Sequence, residues 1–419
     1  MEMLDLRART GRAAMVAGLL LGAHPALAQG LCQQSNCLPD ATQPSGAVYR
    51  VCLPEPSCWN GDLVVWAHGY VAFNQPVAIP EDQLILPDGT SIPVIVNALG
   101  YAFATTSYRT NGLAIKDGID DVRELVDVFS GAHGAPGHTY LVGASEGGIV
   151  TALATERHPD VFSGGLATCG PIGSFRGQLN YWGDFRALFD VYFPNLIPGS
   201  AIDVPAGVID QWESVYKPMV QQAFQAHPAA LDGLLGVSRA PFDTARPASK
   251  QETALGLLWY NVFATNDGIQ KLGGQPFDNT TRYYSGSAND FLLNLLVRRY
   301  RADPAALSEV AAHYETTADL VSPLVTLHTT GDPIIPFGHE VLYFYKALRS
   351  GSLARTAILP VSRYGHCQFK ALEAIVGFVV LISKVQAMTP AGAELLLPDE
   401  ATRAQYREVT GALLAPASP

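Results

Sequence analysis

The stretch that most restricts how this chain can fold is Gly143-Ala144-Ser145-Glu146-Gly147. The apolar run His138 to Val142 before it reads as a short buried strand, and Gly148 to Arg157 after it reads as a helix stopped by His158-Pro159. The serine therefore sits on a strand-to-helix turn. Side chains flanking so sharp a reversal would collide, which accounts for glycine at 143 and 147, and the turn leaves the serine hydroxyl exposed. N–H groups at a helix start have no intrahelical partner and can receive a developing negative charge. With 39 glycines in 419 residues, chance alone would place roughly 0.2 such pentapeptides in the chain. The motif needs support from elsewhere in the sequence.

Length and composition set the frame for that support. At 419 residues, 48% hydrophobic and 16% charged, the chain can build one large domain or two and is not of the disordered class. Arg7, Arg9 and Arg12, the apolar run Ala13 to Ala23 and Ala26-Leu27-Ala28 form the three parts of a secretory signal peptide, with cleavage expected after Ala28. The run is shorter than the ~20 residues needed to span a bilayer, so no stable membrane anchor is expected. The mature protein should be exported, to the periplasm or beyond the cell. Losing residues 1–28 removes those three arginines with Glu2 and Asp5, leaving 24 basic against 36 acidic residues. Such an acidic surface repels phosphate backbones and disfavours nucleic acid as a partner; Arg298, Arg299 and Arg301 read as a solvated helix face. The apolar run Ala374 to Ser383 reads as a core helix.

Six cysteines in an exported chain point to disulfides, which can pair in 15 ways. Cys32, Cys37, Cys52 and Cys58 crowd into one segment and are expected to staple it. If they pair locally, Cys169 and Cys367 either pair with each other or stay free. Metal binding is disfavoured because no Cys-x-x-Cys or His-x-x-x-His spacing accompanies them.

Strand-like and helix-like segments alternate along much of the chain, the pattern of a mostly parallel sheet with helices on both faces. Asp62 to Ala67, Tyr101 to Ser107, Phe162 to Cys169, Leu324 to Thr329 and Thr356 to Val361 read as strands. Ser91 opens a short helix with Pro93 in its first turn, closed by Gly100; a longer helix buries Ile119, Val122, Leu125, Val126 and Phe129 and stops at Gly131. Between about 174 and 319 strands vanish and aromatics become dense, which predicts an inserted helical cap. Most of its rings should form the cap's own core, and some should line an apolar pocket. The expected organisation is a signal peptide (1–28), a discontinuous core (29–173 and 320–390), the cap (174–319) and a tail (391–419) that docks or stays loose. No phosphate-binding loop or dinucleotide fingerprint is present, so no cofactor is indicated.

A serine hydroxyl is a poor nucleophile near neutrality and needs a base, itself held by a carboxylate. Asp332, in Gly331-Asp332-Pro333, and His366, in Tyr364-Gly365-His366, each follow a predicted strand at the end where open parallel sheets place their ligands. Asp190 and Glu340 lack that placement, and His328 lies inside a strand. The backbone N–H groups of Glu146 and of Tyr70, in His68-Gly69-Tyr70, are the expected oxyanion donors.

These motifs, HGY at 68–70, GASEGG at 143–148, GDPIIP at 331–336 and YGHC at 364–367, resemble those of the α/β-hydrolase superfamily over roughly residues 47–173 and 320–386. The resemblance implies that Ser145 is the nucleophile, His366 the general base and then acid, and Asp332 its orienting partner. The His-Cys pair is also similar to that of tannase- and feruloyl-esterase-like enzymes, in which a disulfide ties the histidine loop to the residue before the nucleophile. Here that residue is Ala144, so that tie is absent; a Cys169–Cys367 bond would serve a similar purpose. The expected activity is hydrolysis of carboxylic esters, small or polymeric, with an apolar or aromatic acyl group. A capped serine peptidase and a non-catalytic binding module on the same fold are the alternatives. Asp210, Glu213 and Glu252 are the cap carboxylates a peptidase would call on.

Overall fold

The computed structural model describes residues 35–414, so the expected signal peptide and Cys32 lie outside the described residues. Three antiparallel strands enter first: β1 (Ser35–Cys37), β2 (Ala41–Thr42) and β3 (Val48–Pro54). Then β4 (Leu63–Ala67), α1 (Ile92–Ala98), β5 (Ala102–Thr106), α2 (Ile115–His133), β6 (Thr139–Ala144), α3 (Glu146–Arg157) and β7 (Gly164–Thr168) alternate. Seven helices follow: α4 (Phe175–Tyr192), α5 (Ala206–Asp210), α6 (Lys217–Ala226), α7 (Pro228–Ser238), α8 (Ser249–Lys271), α9 (Asp290–Leu296) and α10 (Pro304–His313). The alternation resumes with β8 (Leu324–Gly331), α11 (Gly338–Ser350), β9 (Thr356–Tyr364) and α12 (Ala371–Val385), and ends in α13 (Pro390–Glu394) and α14 (Glu400–Leu414).

Among the described residues all nine strands form one sheet in the order β1-β3-β5-β4-β6-β7-β8-β9, with β2 on β3. From β5 to β9 neighbours run parallel; β3 joins β5 antiparallel. The reason is visible in β4, whose five residues LVVWA are all buried. Leu63, Val65 and Ala67 pack in one layer with α2 and α3, while Val64 and Trp66 pack in the other with α1 and α12. A strand that is apolar on both faces needs helices on both, and parallel crossovers supply them. The helices between β7 and β8 have a core of their own, built around Phe185, Phe189, Trp212, Phe224 and Leu258.

Several local readings change. The helix α2 runs through Gly131 and ends at Gly134, whose N–H still reaches the Ser130 carbonyl and whose φ of 90° turns the chain out of the helix. A glycine inside a helix costs about 1 kcal/mol but does not stop it, whereas one at positive φ does. The antiparallel entry strands are too short to announce themselves in the sequence. Cys37 bonds Cys52 across the β1–β3 pair, and Cys58 is also disulfide-bonded. Arg298, Arg299 and Arg301 are not on a helix face: they follow α9 in an irregular segment, where Arg299 donates to the carbonyls of Asn279 and Arg282. The tail docks, with Leu397 and Tyr406 buried against the α12 layer. Among the described residues no helix is long and apolar enough to cross a membrane.

Candidate active site

Ser145 follows β6 directly and opens α3, with φ 59° and ψ −119°. That backbone conformation is strained for a residue with a side chain and persists only where the surroundings enforce it. Its neighbours do so. A Cβ on Gly147 would lie 1.9 Å from the Ala67 carbonyl oxygen, and one on Gly143 2.3 Å from the Gly147 carbonyl oxygen. Glycine at both positions lets α3 start against the end of β4.

Three side chains from distant parts of the chain meet at this turn. The Ser145 hydroxyl donates to His366 Nε2 at 2.8 Å, and His366 Nδ1 donates to Asp332 Oδ2 at 2.7 Å. Asp332 follows β8 and His366 follows β9, so both stand at the same rim of the sheet as Ser145. The other Asp332 oxygen, Oδ1, accepts from the N–H groups of Ile334 and Ile335 at 2.9 and 3.0 Å. Cys169, just beyond β7, is bonded to Cys367, which holds the histidine loop against the sheet. The potential metal-ligand cluster Cys169, His366 and Cys367 therefore has both sulfurs in a disulfide.

His328, inside β8, sits fully buried behind Asp332 with Nε2 3.5 Å from Oδ2. Its Nδ1 faces Glu340 Oε1 at 2.9 Å and its Nε2 faces the Ile335 carbonyl at 2.8 Å. A carbonyl can only accept, so Nε2 carries a proton, while Nδ1 faces a carboxyl group. Burial alone would lower its pKa, but hydrogen bonds to Asp332 and Glu340 outweigh burial and raise it. For Asp332, burial would raise the pKa, yet the charges and hydrogen bonds of His366 and His328 prevail and hold it below the usual carboxylate range.

The two predicted oxyanion donors lie beside the serine. A Cβ on Gly69 would be 3.1 Å from Ser145 Cβ, so glycine lets that loop pass close. Gln83 fixes the loop: its Oε1 accepts from the Gly69 N–H at 2.6 Å and its Nε2 donates to the Tyr70 carbonyl at 3.3 Å. The Gly69 N–H is thereby occupied, whereas the N–H groups of Tyr70 and Glu146 have no protein acceptor among the described residues. The Glu146 side chain is itself buried. Its Oε1 accepts from the Ala114 N–H at 2.9 Å, its Oε2 has no partner among the described residues, and burial pushes its pKa up to about 8.

Helices α4 and α8 cover the site and grip its loops. Gln178 donates to the Ile334 carbonyl at 2.8 Å and Tyr181 to that of Pro333 at 2.8 Å, steadying the Asp332 loop. The Tyr364 hydroxyl meets Thr253 Oγ1 at 2.9 Å on the histidine side, and Tyr70 donates to the Phe263 carbonyl at 2.9 Å. Tyr260 borders the space beside Ser145 and stacks on Trp182 at 4.8 Å. Of the aromatics in this region, Phe185, Phe189, Phe193 and Trp212 are core, while Trp182, Tyr260 and Phe277 line the space around Ser145. Gln83, His328, Glu340 and Tyr260 are site residues that no sequence motif marked.

No known family matches the sequence, and no curated protein does. Solved structures similar to the chain include an acylaminoacyl peptidase (TM-score 0.41, 11% identity), over 84% of this chain and 41% of that one. An esterase of Pyrococcus furiosus gives TM-score 0.40 and 10% identity over 85% and 91% of the two chains. A rice cell wall degrading esterase from Xanthomonas oryzae gives TM-score 0.42 and 14% identity over 84% and 97%. The chain thus spans less than half the length of the peptidase. Its own sheet order, parallel crossovers and serine-bearing turn give it a fold of the α/β-hydrolase type.

Proposed function

We propose that the protein is an exported serine hydrolase that cleaves carboxylic esters with apolar arms through an acyl-enzyme. The observation that carries this reading is the unbroken hydrogen-bonded path from Ser145 through His366 to Asp332. Ser145 Oγ attacks the ester carbonyl carbon as its proton passes to His366 Nε2, and Asp332 stabilises the imidazolium that forms. The carbonyl oxygen, now negative, is received by the N–H groups of Tyr70 and Glu146. His366 then returns the proton to the alcohol oxygen, the carbon–oxygen bond breaks, and the acyl group stays on Ser145. Water, deprotonated by His366, releases the acid. Disulfides among the described residues suit an oxidising compartment.

The chemistry of the covered chamber favours esters over peptides. A peptidase that holds a substrate amine needs an ionised carboxylate there, and Glu146 is the sole carboxyl among its lining residues. Its pKa of about 8 keeps it mostly neutral at pH 7. Asp210, Glu213 and Glu252 do not line the chamber; Glu213 pairs with Lys217 at 2.7 Å and Glu252 with Arg246 at 2.6 Å. The test is a fluorophosphonate probe on the purified mature protein. Wild type should label and Ser145→Ala should not, and p-nitrophenyl esters should be cleaved in preference to aminoacyl anilides. Equal labelling of the two proteins, or none, would leave a binding module instead.

A further inference from the structure

Two cavities reach Ser145 from different sides, and they differ in size and in what borders them. The smaller, about 80 Å³, lies under α4 and α8 among Phe175, Leu179, Trp182 and Phe277. The larger, about 460 Å³, runs between the sheet and the helices α1 and α12, past Trp66, Ile95, Leu166, Ile375 and Phe378. Protein interiors hold few voids larger than a water molecule, so an apolar cleft of this size within the sheet–helix layer is a built feature. Its volume lies in the range of roughly 300–1,000 Å³ typical of small-molecule sites. Tyr70, Ser145 and Tyr260 border both cavities, but Glu146 lines only the small one and His366 only the large one.

That asymmetry decides which part of an ester goes where. To collapse the tetrahedral intermediate, His366 must hand its proton to the leaving oxygen, which therefore sits within roughly 2.6–3.2 Å of Nε2. The leaving alcohol extends from that oxygen on the imidazole side, into the large cleft. The acyl group then takes the other cavity that Ser145 borders, the small chamber. Since roughly 10–15 Å³ of such space holds one water, about 80 Å³ admits an acyl group of only several heavy atoms. Resting on the ester-hydrolase reading above, we infer that the substrate is an ester of a small acid with an extended apolar alcohol, the alcohol's chain lying between the sheet and α1 and α12.

Two ester series test this on the mature protein: acetates of alcohols from methyl to octyl, and methyl esters of acids from acetic to octanoic. The value of kcat/KM should rise tenfold or more along the alcohol series and fall along the acid series. The opposite ranking, or no dependence on alcohol length, overturns the assignment. Ile375→Trp, which narrows the cleft away from the reacting atoms, should lower the octyl-to-methyl acetate ratio at least tenfold. A variant that merely folds poorly loses both rates together, so an unchanged ratio counts against the cleft. Fluorophosphonate labelling run in parallel separates the two ideas: failure to label Ser145 sinks the hydrolase reading itself, while labelling with a reversed length preference sinks only the division of the substrate.

Discussion

Asp332 and Glu146 are both buried beside the same serine, and the fold holds them in opposite charge states. Asp332 accepts two backbone N–H groups and the His366 ring, with His328 Nε2 3.5 Å away, and its pKa falls. Glu146 accepts one N–H, leaves one oxygen without a partner, and has a pKa of about 8. Depth of burial is similar; the supply of donors is not. A buried acid is ionised where hydrogen bonds and cations replace its lost hydration, and neutral where they do not. Under the proposed mechanism, the anion at the rim of the sheet steadies an imidazolium. Under the same proposal, a second negative charge near the serine turn would oppose the oxyanion, and a neutral Glu146 avoids it.

The contrast is most exposed to attack at Asp332. Asp332→Asn keeps the shape but removes the charge and favours the wrong tautomer of His366, so kcat on a p-nitrophenyl ester should fall about 10⁴-fold. A loss below tenfold would mean that the anion is not what the site uses. Next in size is the support behind it. Glu340→Ala leaves the buried His328 without its main counter-charge, and urea unfolding should register a loss of about 3–5 kcal/mol. The sign of its pH dependence follows from the raised pKa of His328: in wild type this contribution is fully present below the imidazole's ordinary value of 6.5 and fades as pH climbs through the raised one. A variant as stable as wild type at pH 6 would show that His328 is neutral. Glu146→Gln should produce the smallest change, and only in slope. Because the folded-state pKa is raised from 4.5 to about 8, wild type should lose on the order of a few kcal/mol of stability between those pH values, and the glutamine variant should not. Parallel curves for the two proteins would put an ionised carboxylate at 146 and erase the contrast with Asp332.

Much of the site was legible because its members lie on punctuated turns. Gly143 and Gly147 flank the serine, Asp332 sits in a Gly-Asp-Pro triplet and His366 in Tyr-Gly-His, each next to a run of buried strand residues. Gln83 carries no such mark: it lies 14 residues from Gly69, and only the folded loop brings its amide to that backbone. His328 reads as an ordinary strand residue, since alternation along β8 says which face it takes and nothing about Glu340, which reaches it from α11. Tyr260 is one aromatic among many in a long helix, and its distinction is a place beside a serine far away in the chain. The stop of α2 was misplaced by three residues because Gly131 and Gly134 differ in backbone φ, which glycine itself does not reveal.

By itself the sequence determined the alternation of strand and helix, the serine turn, and the order in which its partners arrive, because steric limits at glycines and the periodicity of apolar residues act over a few residues at a time. The tertiary structure alone decided the hydrogen-bond lengths, the opposite ionisation of Asp332 and Glu146, the Cys169–Cys367 bond and the unequal cavities on the two sides of Ser145. Those depend on which groups meet across hundreds of residues, and electrostatics and packing are set by neighbours in space.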